Sequence, residues 1–179
     1  FNEEEGVEVE MAWLSNLSDA ASALAAGQVD IISTYGTGGP LTQIANGQDF
    51  NSFAGYMIIG ETPVYGKPET EWTSLDSFKG KKIGITRGGT PDIVLKGILY
   101  DEGYSYTYGG TTVIGDPDDP DMIEFVEYKK NTDVLQAVMK GEVDFGATAT
   151  GYQIQARDLG LEVKMWPDEY WPNHSCCRM

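Results

Sequence analysis

The sequence predicts an α/β fold in which mainly parallel sheets are flanked by helices and arranged as two similar lobes. Three observations carry this expectation. Strand-like apolar runs alternate with helix-like segments along the chain, as in βαβ units. A helix–glycine–strand pattern occurs twice, in LSDAASALAAGQVDI (17–31) and NTDVLQAVMKGEVDF (131–145), which align without gaps at Asp19/Asp133, Ala23/Ala137, Gly27/Gly141, Val29/Val143 and Asp30/Asp144. The copies lie about 114 residues apart, well beyond the roughly 20–50-residue period of a solenoid, and that spacing suits two lobes. Generic α/β grammar also produces such pairs, so the repeat alone does not establish duplication.

Composition sets outer limits. A chain of 179 residues is one large domain or two small ones. Its hydrophobic content of 41% is enough for a packed core. The net charge of −16 argues against nucleic acid, which needs a basic patch, and against an anionic membrane surface. No apolar run reaches the ~20 residues of a membrane span. The chain opens at Phe1 without a methionine and is read as a mature or truncated product, so the lack of a signal peptide says nothing about compartment. The adjacent Cys176 and Cys177 make a poor disulfide framework. A single histidine, His174, gives little support to a His-based zinc site or a Ser-His-Asp triad.

In chain order, residues 7–13 alternate apolar and polar and read as a half-buried strand. Ser18-Asp19 and Thr132-Asp133 suit helix N-caps, and Gly27 and Gly141 suit helix ends. Strands are expected at 29–33, 52–59, 82–85, 123–128 and 161–165. Helices are expected at 41–45, 92–102, 133–140 and 151–159, with a short one at 75–80. Thr90 is the expected N-cap of the helix that Pro91 opens. The stretches 60–74 and 103–121 read as irregular. The acidic run Asp116, Asp118, Asp119, Asp121 lacks EF-hand spacing and is read as a solvated loop.

In open α/β sheets, ligands bind beyond the carboxyl ends of strands. Three loops fit that rule: Tyr35–Gly39, Thr86–Thr90 and Thr148–Tyr152. Their candidate contacts are Tyr35, Gly36, Thr37 and Gly38, then Arg87, Gly88, Gly89 and Thr90, then Thr148, Thr150 and Tyr152. Hydroxyls, glycine N–H groups and one guanidinium can hold a small anion or polar solute. Arg87 and the N–H groups at 88–90 are assigned to an anionic end, Tyr35 and Tyr152 to an organic part. The alternatives are a surface pairing of Arg87 with an acid and plain half-buried packing of the tyrosines. Ser15 and Asn16 form a fourth, weaker loop. No nucleotide loop and no nucleophile–base pair are visible, so no catalytic residue, metal or cofactor is assigned.

The stretch FNEEEGVEVE (1–10), with ALAAGQVDI (23–31), QIANGQDF (43–50), LDSFKGKKIGIT (75–86) and LQAVMKGEVDF (135–145), resembles substrate-binding proteins of ABC importers of the nitrate/sulfonate/taurine type. The resemblance implies a two-lobed type II periplasmic-binding fold with the solute held between lobes that close about a hinge. It implies delivery to an ABC importer permease, and a location in the periplasm or, lipid-anchored, outside the cell. The first lobe would span residues 1–78, the second 79–172, and 173–179 would begin the crossover back. Family members carry an additional strand and helix at the start and continue beyond this end. A fragment, or completion by a partner, is therefore implied, and an open sheet edge would favour self-association. The same fold occurs in a thiamine-pyrimidine synthase family with a cysteine-rich stretch near the crossover, which His174–Met179 partly resembles. The rival readings are thus an enzyme using the Cys176-Cys177 region, and a solute-sensing module.

Overall fold

The structure is a computed structural model that describes residues 5–14, 17–33, 35–57, 62–172, 174 and 177–178. The first part contributes α1 (Leu17–Ala25), β1 (Tyr35–Gly36), α2 (Gly38–Ala45) and β2 (Gly55–Met57). Next come β3 (Val64–Gly66), a 3-10 turn (Leu75–Phe78), β4 (Lys82–Thr86), α3 (Thr90–Asp101), β5 (Tyr106–Tyr108), β6 (Thr112–Ile114) and β7 (Ile123–Tyr128). The chain ends with α4 (Asn131–Lys140), β8 (Phe145–Ala147), α5 (Gln153–Asp158), β9 (Glu162–Met165), a 3-10 turn (Pro167–Glu169) and β10 (Cys177–Arg178).

Two sheets result. The larger has seven strands in the order β6-β5-β7-β4-β8-β3-β9, and the smaller has the order β1-β10-β2. Parallel pairing runs through the centre of the large sheet, β5-β7-β4-β8, while β6, β3 and β9 join it antiparallel. In the small sheet β10 pairs antiparallel with both neighbours, so the tail returns to the first part of the chain.

Alternation along β4 sets the layers. Ile83 and Ile85 point to one face and pack with Leu95, Ile98 and Leu99 of α3 and with Phe78 and Phe145. On the other face Gly84 and Gly146 leave room for α4. A Cβ on Gly146 would lie 2.7 Å from both Val134 Cγ1 and Val138 Cγ2. Leu135, Ala137, Val138 and Val143 then form the second core with Tyr65, Ala156 and Leu161. Asp144 Oδ2 accepts from Lys82 N at 2.9 Å, fastening the turn before β8 to the start of β4.

The two sequence repeats share a helix end and then diverge. Gly27 and Gly141 both take the left-handed conformation, at φ 67° and 77°. In both, the next amide reaches back to an alanine carbonyl: Gln28 N to Ala23 O at 2.8 Å, and Glu142 N to Ala137 O at 2.9 Å. After α4 the chain enters the sheet as β8. After α1, residues 29–33 form no strand, and Ile31 is 57% exposed. The expected strand at 7–13 is likewise absent. Val7, Val9, Met11 and Trp13 are exposed, Trp13 to 89%, and among the described residues no strand pairs with them to take up their backbone groups.

Other expectations shift. α4 begins at Asn131 with Lys130 at its N-cap, so Thr132 lies inside the first turn. α3 begins at Thr90 with Gly89 at its N-cap. The stretch read as irregular at 103–121 contains the β5–β6 hairpin, turned by Gly109 and Gly110 at φ 60° and 75°. The connection at 60–74 contains β3. Because β3 and the Leu75–Phe78 turn pack in the large sheet and its core, the sheet groups them with the residues after 79 rather than those before 62.

Candidate functional site

β4, β7 and β8 run parallel, so the segments that follow them emerge together at the carboxyl ends of the strands. Asn131 joins two of them: its Oδ1 accepts from Thr86 Oγ1 and from Ala149 N, each at 3.3 Å. The loop from the first part of the chain meets the N-terminus of α3. A Cβ on Gly36 would lie 2.6 Å from Thr90 Oγ1, and one on Gly38 would overlap Ile93 Cδ1. Glycine is needed at both positions for this close approach.

Beside that contact lies a cavity of about 460 Å³. Thr37, Gly38 and Leu41 form the wall from the first part of the chain, Thr90, Ile93 and Val94 the wall from α3, and Trp171, Pro172 and His174 the wall from the tail. The lining is mostly apolar; Thr37, Thr90 and His174 are its polar side chains. The tail is held there by Trp171, whose ring covers Gly97 and whose Nε1–H donates to Asp101 Oδ2 at 3.1 Å. His174 is 8% exposed. Its Nδ1 lies 2.8 Å from Asp168 Oδ1 and 3.2 Å from Trp171 O, while its Nε2 is buried with no partner among the described residues.

Of the residues singled out from sequence, Thr37, Gly38 and Thr90 line this cavity and Gly36 braces it. Tyr35 is buried, and burial pushes its phenol pKa up against the opposing hydrogen bond with Gln43. Its ring fills the space above Gly39 and is a packing element. Tyr152 is half-buried against the second core. Arg87 realises the surface alternative: its side chain is 71% exposed and lies 3.6 Å from Glu127. Gly88 N–H donates to Asp92 Oδ2 at 2.8 Å and Gly89 N–H to Thr86 O at 3.2 Å, so the loop uses both internally. Asp92 also places an acid at that helix end, paired with Lys96. Thr148 is fully buried, its N–H donating to Pro63 O at 3.4 Å, and Thr150 is exposed. Ser15, Asn16 and Cys176 lie outside the described residues.

Asp118 N and Asp121 N donate to Asp116 Oδ1 and Asp119 Oδ1, so these two carboxylates shape turns of the acidic run. Among the described residues, no group of three or more His, Cys, Asp or Glu side chains could hold a metal ion. Sequence reasoning missed Leu41, Ile93, Trp171 and His174. The aromatic run WPDEYWPNH at 166–174 was the available signal, but the α3 residue that Trp171 bonds, Asp101, lies 70 residues earlier.

No curated protein matches the chain in sequence. Among solved structures it is similar to the ligand-binding component of an ABC-type import system from Staphylococcus aureus, solved with zinc bound. The identity is 17% and the TM-score 0.63, over 96% of this chain and 54% of that one. It is similar to a histidine kinase sensor domain that itself resembles periplasmic binding proteins, at 19% identity and TM-score 0.61, over 99% of this chain and 65% of that one. It is also similar to the solute receptor for L-cysteine of Neisseria gonorrhoeae, at 14% identity and TM-score 0.59, over 93% of this chain and 56% of that one. The fold is that of the periplasmic binding proteins, and the chain spans about half to two thirds of the length of these structures. Over residues 1–114 the chain matches the family model described as NMT1/THI5 like, and it belongs to that family.

Proposed function

We propose that this chain binds a small organic solute in the cavity between its first part and α3, as the extracytoplasmic solute-binding component of an ABC importer. The observation that carries the reading is the cavity itself: three separate segments line it, and its volume is in the roughly 300–1,000 Å³ range of small-molecule sites. A solute touching all three stabilises the arrangement in which they meet, and that arrangement engages the permease. Thr37, Gly38 and Thr90 provide contacts at the start of α3; Trp171 and Ile93 provide apolar walls. Arg87 and the tyrosines stay outside the cavity.

Among the solute classes implied by the family resemblance, a heterocycle such as a thiamine precursor fits apolar walls better than nitrate or taurine. Those two are strongly hydrated, and no lysine or arginine lines the cavity among the described residues. A thermal-shift screen of heterocycles, sulfonates and nitrate tests this. A heterocycle raises the melting temperature of the wild type, and Leu41→Trp, which places bulk in the cavity from an exposed position, abolishes the shift. A shift that survives Leu41→Trp unchanged places the solute elsewhere.

A sensor reading uses the same cavity to signal to an attached domain, and the likeness to a histidine kinase sensor domain favours it as the second choice. The enzymatic reading is tested by the iron content of protein purified without added metal. Self-association through the edges of the small sheet is tested by light scattering, where a monomer at high concentration would reject it.

A further inference from the structure

Trp171 is fastened on one side and open on another. Its six-membered ring covers Gly97 and its Nε1–H donates to Asp101 Oδ2 at 3.1 Å, yet the residue stays 36% exposed and lines the cavity. With the N–H already used, what the indole offers a solute is π surface. An indole face carries negative electrostatic character and attracts a cation more strongly than the ring of a tyrosine or phenylalanine does.

The charges around the cavity have the same sign. Among the described residues no lysine or arginine lines it. Thr37, Gly38 and Leu41 come from a stretch whose charged residues are all acidic, since Lys67 is the first cation of the chain. Lys96 of α3 turns to Asp92 and sits over the rings of Tyr108 and Phe125. Arg87, before α3, lies 3.6 Å from Glu127. At the tail wall, Asp101 holds the indole and Asp168 lies 2.8 Å from His174 Nδ1. With Asp168 ionised, that pair is negative when the imidazole is neutral and uncharged when it is protonated.

We infer that the cavity selects an organic cation whose charge is spread over a quaternary or heteroaromatic nitrogen, with Trp171 as the specificity-determining contact. The inference rests on the cavity being the solute site. A compact ammonium would lose a tight hydration shell among Leu41, Ile93 and Val94. A quaternary nitrogen is weakly hydrated, has no N–H to satisfy and presents apolar surface to those walls. A carboxylate or sulfonate would be dehydrated and meet no opposite charge.

N-methylpyridinium, toluene and benzoate are of similar size and differ in charge. The quaternary nitrogen neither donates nor titrates, so the comparison separates charge from hydrogen bonding. At about 0.15 M salt, where surface charges are screened beyond roughly 8 Å, N-methylpyridinium is expected to bind about tenfold more tightly than toluene, and benzoate more weakly than either. In protein labelled with 5-fluorotryptophan, the fluorine resonance absent from Trp171→Phe is the one that N-methylpyridinium should shift most. Trp171→Leu keeps apolar bulk without a π face and is expected to bring the ratio of N-methylpyridinium to toluene binding close to one. If Trp171→Leu releases the tail, the wild-type ratio and the fluorine shift decide the matter. Equal binding of N-methylpyridinium and toluene, both blocked by Leu41→Trp, leaves the cavity as the solute site and overturns the cation preference, and so does a preference for benzoate. A cation preference unchanged in Trp171→Leu but lost in Leu41→Trp overturns the role of Trp171. One that survives both variants reflects only the chain's net charge of −16 and overturns the inference together with the cavity reading. No binding of any probe at millimolar concentration overturns both as well.

Discussion

Thr90 Oγ1 occupies the place that a side chain on Gly36 would need: a Cβ built there lies 2.6 Å from Oγ1 and 3.3 Å from Thr90 N. The first part of the chain therefore leans directly on the first turn of α3. Gly36→Ala forces the two apart, and overpacking of this kind costs about 1–3 kcal/mol. The measurement is urea unfolding, where the midpoint should fall with an unchanged slope. Thr90→Ala in the same background removes Oγ1 and should recover part of the loss; the Thr90 amide remains in the way. Additive losses in the double variant would show that the two residues do not press on each other.

α3 is fixed at its start by a buried charge pair. Asp92, 4% exposed, accepts from Gly88 N–H and pairs with Lys96 one turn on, and the Lys96 Nζ also sits 4.1 Å from the centre of the Tyr108 ring. Lys96→Met keeps the stem and removes the charge, leaving the carboxylate buried with only the amide. Such a loss costs about 3–5 kcal/mol. Denaturant unfolding of Lys96→Met and of the Asp92→Asn/Lys96→Met pair separates the contributions. A loss of under about 1 kcal/mol for the single variant would mean that water already reaches Asp92.

These contacts show how far the sequence could be read. Helix ends are local, so Gly27 and Gly141 were legible as left-handed stops, and both adopt that conformation. Strands are not local. Val29–Ser33 and Val143–Ala147 carry nearly the same pattern, yet only the second lies between strands that accept it, β4 and β3. β3 was hidden because three residues flanked by Pro63 and Pro68 carry no periodicity; its identity as a strand comes from β8 and β9. The β5–β6 hairpin left one signal, Gly109-Gly110 between aromatic and β-branched residues, but the many turn residues around it hid the strands on either side. In the candidate site, the glycines at 36 and 38 marked the right loop. The Asp168–His174 and Trp171–Asp101 contacts arise from how the tail docks, and no spacing in the sequence encodes them.

Burial raises the pKa of five tyrosines, Tyr35, Tyr104, Tyr106, Tyr128 and Tyr170, above the ordinary phenol value of about 10. The folded state then holds protons that the unfolded state releases. Their stabilising contribution is complete below pH 10 and is lost as pH rises through the raised folded values. The melting temperature should therefore show an additional fall above about pH 10, the unfolded reference. Tyrosinate absorbance should also appear at higher pH in folded protein than in urea-unfolded protein. Coincident titrations of the two states would reject this account.

Gly97 and Trp171 decide whether the tail stays docked. A Cβ on Gly97 would lie 2.5 Å from Trp171 Cη2 and 2.9 Å from Cζ3, so the indole lies directly on the α3 backbone. Gly97→Ala improves helix propensity by about 0.8–1.0 kcal/mol, so a purely local effect would stabilise the protein. The structure predicts the opposite for the tail: the methyl lifts the ring, the Trp171–Asp101 hydrogen bond is lost, and the cavity loses a wall. Limited proteolysis should then cut after residue 166 faster than in wild type, while the large sheet keeps its hydrogen-exchange protection. Trp171→Phe supplies the control: it keeps an aromatic ring over Gly97 and loses only the indole N–H, worth about 0.5–1.5 kcal/mol. If Gly97→Ala raises the melting temperature, leaves proteolysis unchanged and preserves solute binding, the docked tail is not what shapes the cavity.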